Sequence, residues 1–425
     1  MTAMKQKLPP AQESWLPREH PLYRPRHGTT QRLALIAAVV FFLLPSVAFV
    51  FGVRPGAFEN RALTPFPGIL QGWGFLTQLN PWATDHLALR EQAVHLNDLT
   101  SRGIFGEQPA VQRNNAGPID KTETPPPRPV INFPPVVEGK NGWLYLGDEL
   151  ASHCSPSRPI KETVGQLRKL RDEVEASGRR FAVVVAPDKA TLYPENLPDN
   201  MDGKDCQRKG AEEFWQAVSA EDYVVDVRDE LHSWGRMLGE PVYGPLDAHW
   251  GEEAGVIVSR QLAERFRKGI SKPWVVNPGE TWEQNADLPV LIGRSGVTTG
   301  RRYAILPDGK RDTTNRDVPI DFKTKPLHFD SASGPGTYGF SVGLLGDSFT
   351  IRTLRYLSGT FGDITIGHHG EAFKDGGKVA GQVMAENTTV VVEVAERTLM
   401  SGKFTLTQPD IQRTVVDQLK ARPIR

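Results

Sequence analysis

Three apolar runs of strand length, each ending in turn residues, constrain this chain more than any other feature. They are "RFAVVVAPD" (180–188), "FSVGLLGDS" (340–348) and "TTVVVEVAER" (388–397). A strand with one wet face alternates apolar and polar residues; these runs do not, so both of their faces must be covered. "DYVVDVRD" (222–229) and "DITIG" (363–367) read as further strands, and "GKNGWLYLGD" (139–148) as a turn followed by a short one. Between them, Val164, Leu167, Leu170 and Val174 recur at helical spacing, as do Ala254, Val256, Ile257, Leu262 and Phe266; a further helix is expected over 350–361. Strands alternating with helices predict an α/β fold, a mainly parallel sheet flanked by helices. Residues 270–338, rich in Gly, Pro and polar side chains, read as an insertion, with Asp308-Gly309 expected to turn a hairpin.

A second constraint lies near the N-terminus. Leu33 to Val53 is 21 residues without a charge, enough to cross a bilayer as a helix, with Pro45 as a tolerated kink. Residues 1–32 carry six Lys or Arg against two Glu, a flank that is expected to stay cytoplasmic and send the rest of the chain across the membrane. With a long preceding segment and no A-x-A site after it, the run reads as a retained anchor rather than a cleaved signal. The expected organisation is a cytoplasmic tail (1–32), a transmembrane anchor (33–53), a periplasmic stem with a Pro-rich linker (54–138) and a catalytic domain (139–425). Cys154 and Cys206 could pair in an oxidising compartment or stay as two free thiols. Fifty basic residues balance fifty acidic ones, which gives no footprint for nucleic acid.

Ligands of parallel sheets sit beyond the carboxyl ends of the strands, and Ser348 in "LLGDSFT" lies just past one. It is either a helix cap or a nucleophile, and a nucleophile needs a base whose tautomer is fixed. Of ten histidines, His20, His27 and His86 lie in or near the tail and anchor, and His368 and His369 have no sequence-adjacent carboxylate. "YGPLDAHWG" (243–251) is the best source: Asp247 and His249 flank a small alanine on one turn, so the carboxylate can orient the imidazole with few torsions to freeze. The bland alternative is an Asp cap with an incidental histidine. No zinc-type Cys/His spacing, phosphate-cradling loop or dinucleotide fingerprint is present in the sequence, so no metal or cofactor is expected.

These pieces, with "ENRALTPFP" (59–67), "VVVAPDKATLYPENLP" (183–198), "DAHW" (247–250), "GDSF" (346–349) and "VVEVAER" (391–397) in collinear order, resemble a known family. It comprises the membrane-anchored, SGNH-hydrolase-like proteins of the alginate O-acetyltransferase AlgJ/AlgX type. The resemblance implies an SGNH-like fold and O-acetyl chemistry on an exported polysaccharide in the periplasm. It implies Ser348 as nucleophile, His249 as base and Asp247 as its orienting acid, with a multi-pass membrane acyltransferase as acetyl-donor partner. Only 28 residues follow Arg397, too few for the carbohydrate-binding module of AlgX-type members, so the AlgJ type is expected.

Gly346, Asp347, Lys189, Tyr193, Arg352 and Arg397 are second-rank candidates for the oxyanion site or the cleft, with surface salt bridges as the alternative for the last four. Trp143 and Trp250 could stack on sugars or fill the core. Two other functions share these residues: a polysaccharide acetylesterase, in which water takes the acetyl group, and a non-catalytic component of a polysaccharide secretion complex.

Overall fold

The computed structural model describes residues 29–53, 66–68, 73–89, 92, 93, 96, 99, 100, 103, and 133–424 except 332, 333 and 403. Residues 1–28, most of "ENRALTPFP" and the Pro-rich stretch 104–132 lie outside the described residues, and with them His20 and His27. The chain divides into two compact units, residues 1–93 and 94–425. In the first, one helix spans Thr29–Val50 with Pro45 inside it, about 33 Å at 1.5 Å per residue. Its Arg32–Val50 portion has a mean hydropathy of 2.8, long and apolar enough to cross a membrane. A second helix, Trp73–Asp85, carries Trp82, whose ring meets Phe49, Phe66 and His86.

Among the described residues of the second unit, β1 (Val136–Glu138) pairs antiparallel with β2 (Leu144–Leu146), a ladder that straddles the boundary expected at 139. The central sheet has six strands. They are β3 (Arg180–Ala186), β4 (Val224–Val225), β7 (Leu327–Asp330), β8 (Tyr338–Gly346), β9 (Phe361–His368) and β10 (Thr389–Ala395), in the order β4-β3-β10-β8-β9-β7. The first five are parallel; β7 runs antiparallel along β9. Alternate side chains feed two cores. Ala182, Val184, Val391, Leu344 and Ile366 face the helices Glu252–Phe266 and Leu354–Thr360. Val183, Val185, Val390, Val392 and Leu345 face Ile160–Ala176, Lys204–Val218, Lys378–Ala385 and Pro409–Ala421. Each such fully buried Val, Leu or Ile side chain stabilises the fold by roughly 1.5–3 kcal/mol relative to exposure.

Segment 270–338 holds a separate antiparallel pair, β5 (Val275–Asn285) and β6 (Val297–Leu306), as well as β7. The turn at Asp308-Gly309 exists: Gly309 has φ 74 and its N–H donates to Leu306 O. It is not a hairpin turn, because the chain leaves β6 there and pairs next with β9. Cys154 and Cys206 form a disulfide with Cα atoms 5.3 Å apart, tying the helix Gly147–Cys154 to Lys204–Val218.

Candidate active site

β8 delivers its last residue, Gly346, to a bend whose geometry Asp347 fixes. The Asp347 carboxylate accepts from Phe349 N (3.0 Å) and from Ala395 N (2.8 Å) at the end of β10. Asp347, not Ser348, is thus the cap of the short 3-10 turn Ser348–Arg352, which frees the serine hydroxyl for other work. Thr350 Oγ1 donates to the buried Glu393, and a Cβ on Gly346 would overlap that hydroxyl, so only glycine fits there. Burial pushes Glu393 well above the usual carboxylate range.

The His249 imidazole comes from a loop pinched shut by a bridge between Tyr243 and Trp250. Lys189, wholly buried, donates to three of its carbonyls: Asp247 O (2.7 Å), Pro245 O (3.1 Å) and Gly244 O (3.3 Å). Trp250 Nε1 donates to Phe349 O at 3.0 Å, stapling this loop to the serine turn. As a result His249 Nε2 lies 2.9 Å from Ser348 Oγ, across 99 residues of sequence. Asp247 Oδ1 accepts from His249 N (3.0 Å) and faces His249 Nδ1 at 3.1 Å.

A second carboxylate, which sequence reasoning missed, stands on the same nitrogen: Asp287 Oδ2 is 3.0 Å from Nδ1, and Asp287 Oδ1 accepts from Ala248 N at 2.9 Å. Burial would lower the imidazole, but the hydrogen bonds and charges of Asp247 and Asp287 prevail and push it up to about 9. Burial would likewise raise Asp247, yet His249 and Arg352 hold it below its ordinary value.

Ser348, His249, Asp247 and Arg352 come together. The Arg352 guanidinium lies 3.9 Å from Asp247 Oδ2 and 4.1 Å over the Trp282 ring of β5. Lys189 is wholly buried and Tyr193 and Arg397 are half-buried, so none of the three is a surface salt bridge. Tyr193 Oη accepts from Val242 N at 2.9 Å, and Arg397 pairs with Asp188 (3.0 Å) beneath the Phe349 ring. Acidic neighbours in sequence, Asp188 beside Lys189 and Glu396 beside Arg397, are what a surface salt bridge would also show, so they gave no sign of that burial. Gly346 and Asp347 shape the bend. Trp143 and Trp250 are core residues. His369 does have a carboxylate in space, Asp347 Oδ2 at 3.6 Å, although none adjoins it in sequence.

Among the described residues, two groups gather three ligand-type atoms within 4.8 Å of one another: Asp247, His249 and Asp287, and the buried His153, Asp188 and Glu396. His153 Nδ1 donates to Glu149 O (2.6 Å) and Nε2 to Glu396 Oε1 (2.8 Å), so a protonated imidazole accounts for the second group. Its midpoint, lowered by burial but raised more by Glu396, stands at about 9.

This arrangement is a hydroxyl with a base and an oriented tautomer, half-buried at the carboxyl end of a parallel sheet. The family profile described as "SGNH hydrolase-like domain, acetyltransferase AlgX" matches residues 136–350, about half of the chain and both catalytic-type loops. The chain belongs to this AlgX family. Among relatives, "Probable alginate O-acetylase AlgJ" of Pseudomonas syringae pv. tomato is 23% identical over 225 residues, covering 51% of this chain and 54% of the relative. The Pseudomonas fluorescens protein of that name is 24% identical over 165 residues, 37% of this chain and 41% of the relative. The chain therefore spans about half the length of the curated relatives it matches. The solved O-acetyltransferase domain of Pseudomonas putida AlgJ is similar at a TM-score of 0.44 with 17% identity, over 67% of this chain and 98% of that one. Pseudomonas aeruginosa AlgX gives 0.44 and 14%, over 67% and 65%. Within the AlgX family frame, Asp287 also falls inside the matched region.

Proposed function

We propose that the chain is a membrane-anchored O-acetyltransferase that esterifies hydroxyls of an exported polysaccharide outside the cytoplasmic membrane. The observation that carries this reading is the 2.9 Å approach of His249 Nε2 to Ser348 Oγ in a member of the AlgX family. In this scheme His249 Nε2 takes the Ser348 proton as Oγ attacks an acetyl carbonyl, and returns it to the departing donor group. Acetyl-Ser348 remains. A polymer hydroxyl then loses its proton to His249 and attacks, and Ser348 Oγ leaves with that proton. Asp247 keeps the imidazole in the required tautomer, and the backbone N–H of Ser348 at the bend is a donor for the oxyanion.

Among the described residues one helix is long and apolar enough to cross a membrane; a multi-pass membrane acyltransferase is the partner that would bring acetyl groups across the bilayer. Full-length protein in detergent, incubated with an activated acetyl ester, should gain one acetyl group on Ser348 by peptide mass spectrometry, and Ser348→Ala should gain none. In cells, Ser348→Ala should lower polymer acetylation; a rise would mean a deacetylase, and an unlabelled Ser348 a non-catalytic secretion component.

A further inference from the structure

We infer that Asp287, carried by the connection between β5 and β6, is a second positioning carboxylate for His249, so that the base is held from two separate loops at once. This rests on the proposed role of His249, and it adds a residue to that site.

The geometry is close to symmetrical. Asp247 Oδ1 and Asp287 Oδ2 stand 3.1 and 3.0 Å from the same Nδ1, distances at which one N–H is shared between two acceptors. Each carboxylate also takes a backbone N–H of the same loop, Asp247 from His249 and Asp287 from Ala248. Asp287 is no stray surface acid. Its side chain is 9% exposed, it opens the helix Asp287–Leu291, and its neighbour Leu288 is wholly buried and donates its N–H to Leu246 O in the base loop. Ala286 N donates to Gly296 O, closing the connection on itself. The segment is thus fastened to the loop it serves after the carboxylate, through Leu288, and closed on itself before it, through Ala286.

The other groups around the ring do not replace it. Ser348 faces Nε2, and the Phe349 ring covers one side at 4.9 Å. Arg352 reaches Asp247 rather than the imidazole, and is itself near Glu252, which Arg355 and Tyr356 also bind. Lys189 is occupied by loop carbonyls, and Arg397 lies behind Phe349. Asp247 and Asp287 are the two anions that touch Nδ1 among the described residues.

Asp287→Asn separates this role from a mere loop cap. The asparagine can keep its oxygen on Ala248 N, but its amide nitrogen cannot accept from Nδ1–H. Full-length protein labelled in its histidine rings, with His249 assigned by its loss in His249→Gln, is titrated by NMR in detergent. The His249 midpoint should fall by about one pH unit or more in Asp287→Asn. Provided that the wild type acetylates Ser348, the rising limb of the acetylation-rate profile should move to lower pH in Asp287→Asn along with that midpoint. If Asp287→Asn does not fold, Asp287→Ser supplies an uncharged acceptor for the same N–H. An unmoved midpoint in the folded variant overturns the inference, whatever the activity. A moved midpoint in a protein that never forms acetyl-Ser348 would sink the acetyltransferase reading and leave Asp287 in place.

Discussion

At the scale of single residues, the imidazole of His249 decides how the site behaves with pH. Two carboxylates favour its charged form, with a midpoint at about 9, so at neutral pH most molecules carry an imidazolium that cannot accept the serine proton. Only the neutral form is a base, and its fraction grows with pH. Single-turnover acetylation of Ser348 should therefore climb about tenfold per pH unit from near pH 6 and level off at about 9. A rate already flat at neutral pH would mean that the imidazolium is not held. The pairing of His249 with Asp247 was legible because both sit in "DAHW", two positions apart on one turn. Asp287 was not: its partners lie 38 or more residues upstream, and an acid before "LPVL" signals a helix start and nothing else. Lys189 was misjudged for a related reason. A lysine is read as solvated unless something in sequence supplies acceptors, and its acceptors are main-chain carbonyls of a loop 55 to 58 residues away.

At the scale of elements, the end of β8 and the turn after it behave as one unit. Gly346 makes room for Thr350, Thr350 binds Glu393 in β10, and Asp347 binds Ala395 in the same strand. Gly346→Ala must push Thr350 off its partner and take the hydroxyl donor from a buried carboxyl. Urea unfolding should show a loss of about 1–3 kcal/mol, accompanied by weaker acetylation of Ser348. Unchanged stability would mean that the bend adapts freely. The strands β3, β8, β9 and β10 were readable because unbroken apolar runs leave little alternative. β4 shrinks to Val224–Val225 because Asp226 turns back to bind Ser219 and Arg228. β5 and β6 escaped notice because Pro278 and Gly279, sitting where the register shifts, look like loop punctuation. β7, four residues with alternating half-burial inside a Gly/Pro-rich segment, lacks any run to read.

At the scale of the whole molecule, one covalent link fastens the periphery to the core. The bond between Cys154 and Cys206 closes a loop of 52 residues that contains β3 and the Lys189 clamp. Replacing both cysteines by alanine should lower stability by about 2–4 kcal/mol in denaturant titrations, and reductant should do the same to the wild type alone. Equal curves for the two proteins would remove the link from the account.

The margins of the central sheet have a consequence of their own. One ends in a strand of two residues and the other in a strand of four that runs against its neighbour. Neither offers enough open main chain to template an incoming peptide, so the central sheet is closed to fibril growth through its own rims.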